Sequence, residues 1–396
     1  MERIINSLLS NDLYKFSMGQ AIFHQHNGKR THWAFKCRNK EVHFTEEMVN
    51  EIKRQIELYS ELRFTEEELN YLRDNYIWIH QDYLDYLKFW HPVASDIVIG
   101  TNSECGLTVE FEGSATNVSP YETPIMAIIC EVYYRLGGQY EELLSNYKES
   151  VEEMIQSIKE NPIGNFSDFG FRRRLSSEAQ DYLIKRFTEE KVTGFIGTSN
   201  VHLAMKYGIR AMGTMAHEWV MLVGQGYPEY NPSYSNKFMM DSWVKEYGVL
   251  NGIALTDTIG TPCFLKDFQK TYATLFSGVR HDSGDPIEWG NKMIAHYESL
   301  GIDPKTKTLL FSDSLNLEKA RMLNNTFSGR ANVAFGIGGA LCSPKGHSLN
   351  IVIKTTEIDG KPVAKLSDDL SKGICRDEEY IEYLRRCIRW RLENSI

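Results

Sequence analysis

The chain has 396 residues, enough for two or three domains or for one large barrel with an appendage. Hydrophobic residues make up 42% and charged residues 24%, so a core can form without disulfide or metal staples. The 44 Lys+Arg against 53 Asp+Glu leave a net charge of −9, which argues against a general nucleic-acid binder but allows a local cationic pocket.

Residues 1–7 lead to Asn11 and Asp12 before any long apolar region forms, so no secretory signal is expected. No run of 18 apolar residues exists, so no membrane span is expected. The seven cysteines include no CxxC pair and read as reduced thiols. A soluble cytoplasmic protein follows from these readings.

The spacing predicts an amphipathic helix over 48–62 and a second over 65–76, with Thr65 as N-cap and Glu68 at the capping-box position. A strongly apolar helix over 124–136 ends at Gly137-Gly138. From about residue 165 the pattern changes. Short apolar runs at 194–196, 209–212, 253–255, 278–279, 309–311 and 333–335 each lead into a polar turn and then a helical stretch. Six such units predict a parallel sheet buried on both faces and closed as a barrel, with an active site on the polar rim. Beyond Gly339, residues 349–357 read as a half-exposed antiparallel strand, Asp359-Gly360 as a hairpin turn and 362–366 as the return strand. Ile381, Leu384, Ile388 and Leu392 mark a terminal amphipathic helix, with Arg385, Arg386 and Arg389 on its solvated face. This terminal part is expected to pack back on the N-terminal domain.

The strand ends carry the chemistry. Arg280-His281-Asp282-Ser283-Gly284-Asp285-Pro286 sets an arginine fork, a carboxylate for ribose hydroxyls or a metal, and a glycine for close backbone approach in one turn. The same residues also suit an ordinary Asp-Pro turn. The glycines of Phe335-Gly336-Ile337-Gly338-Gly339-Ala340 can present N–H groups to a phosphate or simply make a tight turn, and their spacing is not the dinucleotide fingerprint. His217, beside Glu218, reads as acid, base, nucleophile or structural histidine, and nearby carboxylates would favour its cation. Asp257 and Asp282 stand at two other strand ends and could reach the same rim. In Asp168-Phe169-Gly170-Phe171-Arg172-Arg173-Arg174, a ring could stack on an aromatic ligand while an arginine grips its carboxylate, unless the run is a basic surface helix start. The segment 12–18 reads by itself as core plus N-cap. No metal-ligand spacing occurs among the 11 histidines, so no zinc site is expected.

Taken together and in order, NDLYKFSM at 11–18, DFGFRRR at 168–174, GTSN at 197–200, GTMAHEW at 213–219, ALTDT at 254–258, RHDSGDP at 280–286, FSDS at 311–314, FGIGG at 335–339 and GKPVAKLSD at 360–368 resemble the nicotinate phosphoribosyltransferase family. The resemblance spans almost the whole chain. It implies an α/β fold: an irregular TIM-like barrel of the type II phosphoribosyltransferases over 131–349, and a smaller α/β domain from 1–130 joined by about 350–396. It implies a homodimer with shared active sites. It also implies conversion of nicotinate and phosphoribosyl pyrophosphate to nicotinate mononucleotide and pyrophosphate in NAD salvage, with Mg²⁺ carried mainly by the substrate. ATP hydrolysis would be coupled through a phosphohistidine at His217. Position by position, Tyr14 would cover the nicotinate ring from the partner subunit, Phe169 would stack on its other face, and Arg172 would meet the carboxylate. Arg280 and Asp282 would bind the ribosyl part or pyrophosphate. Ser312, Asp313, Gly338 and Gly339 would hold the ribose and its 5′-phosphate, and Asp257 would support His217 or the metal. Phe171 stands where close relatives tend to have Thr and would change the pocket wall. Ser199 stands where the related nicotinamide enzyme has Asp. An acid there would repel the nicotinate carboxylate by about 1–4 kcal/mol at ~4 Å, whereas a hydroxyl can donate to it. The competing readings are a nicotinamide or other pyridine-ring phosphoribosyltransferase and a catalytically silent phosphate-binding protein. A phospho-sugar aldolase would want a Schiff-base lysine at a strand end, and none stands at the six.

Overall fold

The computed structural model describes residues 1–369 and 375–394. Two sheets organise it. An antiparallel sheet contains β1 (Arg30–Cys37), β2 (Ile97–Gly100), β3 (Thr108–Ser114), β10 (Ile351–Ile358) and β11 (Lys361–Pro362), in the order β11-β10-β1-β3-β2. A parallel sheet contains β4 (Asn165–Asp168), β5 (Phe195–Thr198), β6 (Ile253–Leu255), β7 (Gly278–His281), β8 (Thr308–Phe311) and β9 (Asn332–Ile337), in the order β5-β4-β9-β8-β7-β6. No helix among the described residues is long and apolar enough to cross a membrane.

The helix expected over 48–62 runs Glu46–Ser60, because the Thr45 hydroxyl accepts from the Met48 N–H at 3.3 Å and starts it earlier. The next runs Glu66–Asn75 behind a reciprocal capping box: Glu68 N–H donates to Thr65 Oγ1 at 3.2 Å, and Thr65 N–H to Glu68 Oε2 at 2.9 Å. The apolar helix runs Glu122–Leu136 and packs against β10.

Residues 209–212 do not form the expected strand. Ala211 makes a single parallel bridge to Thr198, and Thr214 Oγ1 donates to the Ile253 carbonyl at 3.1 Å. The segment thus touches β5 on one side and β6 on the other, spanning the two open edges of the parallel sheet without a continuous ladder. Gly197 permits this crossing, since a Cβ there would stand 2.1 Å from the Arg210 carbonyl oxygen. The barrel is therefore irregular at this seam. The sixth strand is β4, whose polar Asn165-Phe166-Ser167-Asp168 carries no apolar run to read. It is buried because its polar groups are paired: Asp168 accepts from Gln180 Nε2 at 2.8 Å and Thr198 Oγ1 at 2.7 Å.

β10 is not half-exposed. Only Lys354 and Glu357 along it are partly accessible, because the helices Glu122–Leu136 and His217–Gln225 pack against it. Asp359 and Gly360 make the expected turn with φ of 50° and 71°, but the return strand stops at Pro362. Ala364 leaves the sheet to exchange two hydrogen bonds with the Gln225 amide, at 2.8 and 2.9 Å.

The terminal helix Glu378–Asn394 packs on Ile259, Cys263 and Ala364 through Leu384, on the side of the parallel sheet. Among the described residues, the strands of the C-terminal region join the N-terminal sheet, and Arg376 pairs with Glu110 on β3. Arg391, on this helix, is buried against the Asp267 carboxylate, with Nη1 at 3.0 Å from Oδ2. Removing one partner of a buried pair strands the other charge, so Asp267→Ala is expected to destabilise the protein by about 3–5 kcal/mol, read as a lower urea midpoint. An unchanged midpoint would show that the helix is held by its apolar face alone.

Candidate active site

The carboxyl ends of β6, β7 and β8 and the start of the helix His217–Gln225 meet at one cluster. His217 Nε2 lies 3.0 Å from Asp282 Oδ2 and 3.9 Å from Asp257 Oδ1, while Nδ1 lies 2.9 Å from Thr258 Oγ1. Burial and the neighbouring Lys365 ammonium push the His217 pKa down to about 4, against the pull of the carboxylates. The imidazole is therefore neutral, not the cation expected from its acidic neighbours. Its single proton belongs on Nε2, between the two carboxylates, which leaves the Nδ1 lone pair facing the Thr258 hydroxyl.

Burial opposes charge on Asp282, but Arg280, Lys365 and His217 hold its carboxyl well below the usual range. Asp257 is likewise lowered despite its burial, with the Lys365 ammonium beside it and the Ser283 hydroxyl donating to it. Arg280 is fixed on three sides: Nε donates to Ser312 Oγ at 2.9 Å, Nη1 to the Met215 carbonyl at 3.0 Å and Nη2 to Asp282 Oδ1 at 3.2 Å. Ser312 and Asp313 follow β8, while Gly338 and Gly339 follow β9, so the four stand at the ends of adjacent strands.

A second group faces this cluster. Arg172 lies in the turn after β4, with Nη1 3.4 Å from Glu122 Oε1 and Nε 3.6 Å from Asp12 Oδ2. The Tyr14 ring centroid is 6.0 Å from the Arg172 guanidinium carbon of the same chain, so Tyr14 stands beside Arg172 within one chain. A cavity of about 80 Å³ connects the two groups, lined by Trp33, Arg172, His217, Glu218, Lys354 and Lys365. Phe169 donates its backbone N–H to the Ile337 carbonyl at 2.8 Å and lays its ring over Gly336. A Cβ at Gly336 would stand 2.3 Å from Phe169 Cδ2. Gly336→Ala is accordingly expected to shift that ring and to cost about 1–3 kcal/mol of stability, measured by urea unfolding; an unchanged midpoint would mean that the ring moves freely.

Two expectations change here. The Ser199 hydroxyl is not free for a ligand carboxylate, because it donates to Asp12 Oδ1 at 2.5 Å. Asp12 and Glu122 already flank Arg172, so the absence of an acid at 199 does not make this wall free of negative charge. Phe171 is wholly buried, with the Arg174 guanidinium over its ring at 5.0 Å, and belongs to the core instead of the pocket wall.

Several site residues were not singled out from sequence. Lys15 is buried between Glu122 and Glu218, at 2.7 Å from each, and these carboxylates hold it charged despite its burial. Lys365 stands 3.4 Å from both Asp257 Oδ2 and Asp282 Oδ2. Lys354, from β10, is brought down to about 7 by burial and by its neighbours Lys365 and Arg38. Lys15 and Lys365 lie inside motifs that mark the resemblance, which is the signal that points to them.

Fold and site together define an α/β protein with a cleft in which an imidazole, an arginine and two lysines line one cavity. The sequence model of the nicotinate phosphoribosyltransferase family matches residues 165–390, and that of its N-terminal domain matches residues 9–130. A nicotinate phosphoribosyltransferase of Xanthomonas campestris pv. campestris (strain B100) is 40% identical over 390 residues, covering 96% of each chain. One from Ectopseudomonas mendocina (strain ymp) is 40% identical over 400 residues, covering 98% of each. The crystal structure of nicotinate phosphoribosyltransferase from Porphyromonas gingivalis has a TM-score of 0.88 at 32% identity, covering 97% of this chain and 100% of that one. That from Vibrio cholerae has a TM-score of 0.88 at 33% identity, covering 98% and 94%. The chain belongs to the nicotinate phosphoribosyltransferase family.

Proposed function

We propose that this cleft joins nicotinate to the phosphoribosyl group of phosphoribosyl pyrophosphate, in NAD salvage, with ATP hydrolysis coupled through His217. The observation that carries the reading is the single cavity lined by both Arg172 and His217. In the transfer, the bond from the ribose anomeric carbon to pyrophosphate breaks and a bond to the pyridine nitrogen forms. Pyrophosphate leaves with the electron pair, and nicotinate mononucleotide is the product. Tyr14 and Phe169 flank the ring and Arg172 holds its carboxylate. Arg280 and Asp282 take the ribosyl part or the pyrophosphate, and Ser312, Asp313, Gly338 and Gly339 take the ribose and 5′-phosphate. Positioning and charge stabilisation account for catalysis in such a site.

In the ATP step, the Nδ1 lone pair of His217 takes the terminal phosphoryl group and ADP leaves. The Nε2 proton stays between Asp282 and Asp257, which orient the ring. Divalent metal fits this corner. Carboxylate oxygens of Asp257 and Asp282 lie within 4.8 Å of one another, and Asp257 Oδ1 is buried without a hydrogen-bond partner. The carboxylates of Asp257 and Asp282 would hold Mg²⁺ arriving with the donor, where it would neutralise the leaving pyrophosphate. A homodimer belongs to the same reading, supported by Ile77 and Phe89, which are 86% and 79% exposed; sedimentation would test it.

The test is a product assay with nicotinate or nicotinamide, each with and without ATP. Nicotinate is expected to be the preferred substrate, with ATP driving the yield upward. A strong preference for nicotinamide would overturn the reading.

A further inference from the structure

A second cluster of ligand-type side chains lies outside the cleft, in the last turns of the helix Leu13–Gln25 whose first turn carries Tyr14 and Lys15. His24 Nε2 stands 3.1 and 3.2 Å from the two oxygens of Asp82. The rings of His24 and His80 are 5.3 Å apart. One ligand atom from each of the three residues lies within 4.8 Å of the other two. None of these residues takes part in the chemistry proposed above.

The other nitrogen of His24 is also engaged. Nδ1 lies 2.6 Å from Glu246 Oε1, and the Glu246 side chain is only 5% exposed. A carboxylate behind one ring nitrogen is the usual support of a metal-ligating histidine, because it fixes the ring and aims the other nitrogen's lone pair outward. Here that other nitrogen faces the Asp82 oxygens. With the ring proton on the Glu246 side, two acceptors meet there, a cation can join them, and His80 supplies a third donor to it.

The surrounding bonds hold the cluster before any ion arrives. Gln20, fully buried, accepts from the His80 backbone N–H at 2.8 Å and donates to Glu246 Oε1 and the Trp78 carbonyl at 2.9 Å each. Asp82 Oδ1 accepts from the Tyr83 N–H at 2.9 Å. Gln20 and His24 come from one helix, residues 78–83 from the entry to the helix Gln81–Phe89, and Glu246 from the helix Ser235–Tyr247. These residues are remote in sequence, which is why no ligand spacing announced them.

We propose that His24, His80 and Asp82 bind one divalent cation of the zinc class, with Glu246 holding His24 in its ligating orientation. Two imidazoles and one carboxylate favour such an ion over Mg²⁺ or Ca²⁺, which want mainly oxygen. Three protein ligands leave the remaining position to water. The ion would pin the end of the helix Leu13–Gln25 to the start of the helix Gln81–Phe89.

The test uses the full chain, stripped of metal with a chelator and titrated with Zn²⁺ against a chromophoric zinc indicator. Co²⁺ replaces Zn²⁺ for visible absorption. The wild type is expected to take up one equivalent at micromolar metal or below, which His80→Gln and Asp82→Asn each weaken by at least about tenfold. That equivalent is expected to persist in His217→Asn, which separates it from the cleft cluster. Zn²⁺ is also expected to raise the melting temperature of the wild type more than that of His80→Gln, while His80→Gln keeps its nicotinate turnover. The proposal is overturned by identical titrations of the wild type, His80→Gln and Asp82→Asn, by loss of the equivalent in His217→Asn alone, or by no uptake at micromolar Zn²⁺. The last result would mean that His24 is an imidazolium ion-paired to Asp82 and Glu246 only.

Discussion

His217→Ala is expected to end transfer of phosphate from ATP to the protein and to cut the ATP hydrolysis that accompanies product formation by on the order of 10³-fold. The reason lies in the protonation of the ring. Burial and Lys365 keep His217 neutral, with a pKa of about 4, so a lone pair is present throughout the physiological range. With the Nε2 proton held by the carboxylates of Asp282 and Asp257, at 3.0 and 3.9 Å, Nδ1 would be the acceptor atom in the proposed phosphoryl step. Alanine removes the acceptor atom itself. A phosphoryl group on the ring would bring about −1.5 to −2 charges to a corner that already holds two carboxylates. Lys365 and Arg280 would then have to be shared between the phosphoryl group and the acids, which gives the ATP step a means of changing the affinity for the phosphoribosyl donor. Phosphoribosyl transfer itself should persist in His217→Ala at high donor concentration, uncoupled from ATP. Measuring ATP consumption and product separately settles it: full coupling in the variant would refute the phosphohistidine.

Arg172→Leu should raise the KM for nicotinate by roughly 10- to 100-fold, the range set by charged hydrogen bonds of about 1.5–3 kcal/mol at about 1.4 kcal/mol per tenfold. The loss is compounded by what remains. Without the guanidinium, Asp12 loses its ion-pair partner and Glu122 keeps Lys15, so an incoming carboxylate meets more negative charge from two acids that now stand 3.6 and 3.4 Å from Arg172. Nicotinamide, which carries no such charge, should lose far less, so the ratio of the two substrates falls as well. Arg172→Lys should recover part of the binding, because an ammonium supplies charge without the two-pronged geometry. An unchanged nicotinate KM in Arg172→Leu would place the carboxylate elsewhere.

Where one stretch of chain makes its own structure, the sequence was readable. Thr65 and Glu68 close their capping box within four residues, and Asp359-Gly360 turn a hairpin through their own left-handed φ of 50° and 71°. The apolar runs that became β5, β6, β7, β8 and β9 also lead into the polar groups of the site. What escaped depends on partners far along the chain. β4 is too polar to read as a strand, and it is buried only because Gln180 and Thr198 satisfy Asp168. Residues 209–212 have strand-like composition, but they cross a seam between two sheet edges. Lys15 looks like a surface lysine until Glu122 and Glu218 are brought to it. Ser199 looks like a ligand donor from sequence alone, because its bond to Asp12 joins residues from two distant motifs.

The placement of both substrates in one cleft is tested most directly by a crystal structure of the protein with nicotinate and phosphoribosyl pyrophosphate. The account predicts the nicotinate carboxylate on Arg172, its ring between Tyr14 and Phe169, and the ribosyl pyrophosphate between Arg280 and the ends of β8 and β9, beside His217. Density for nicotinate away from Arg172, or for the donor away from the His217–Asp282 corner, would contradict it.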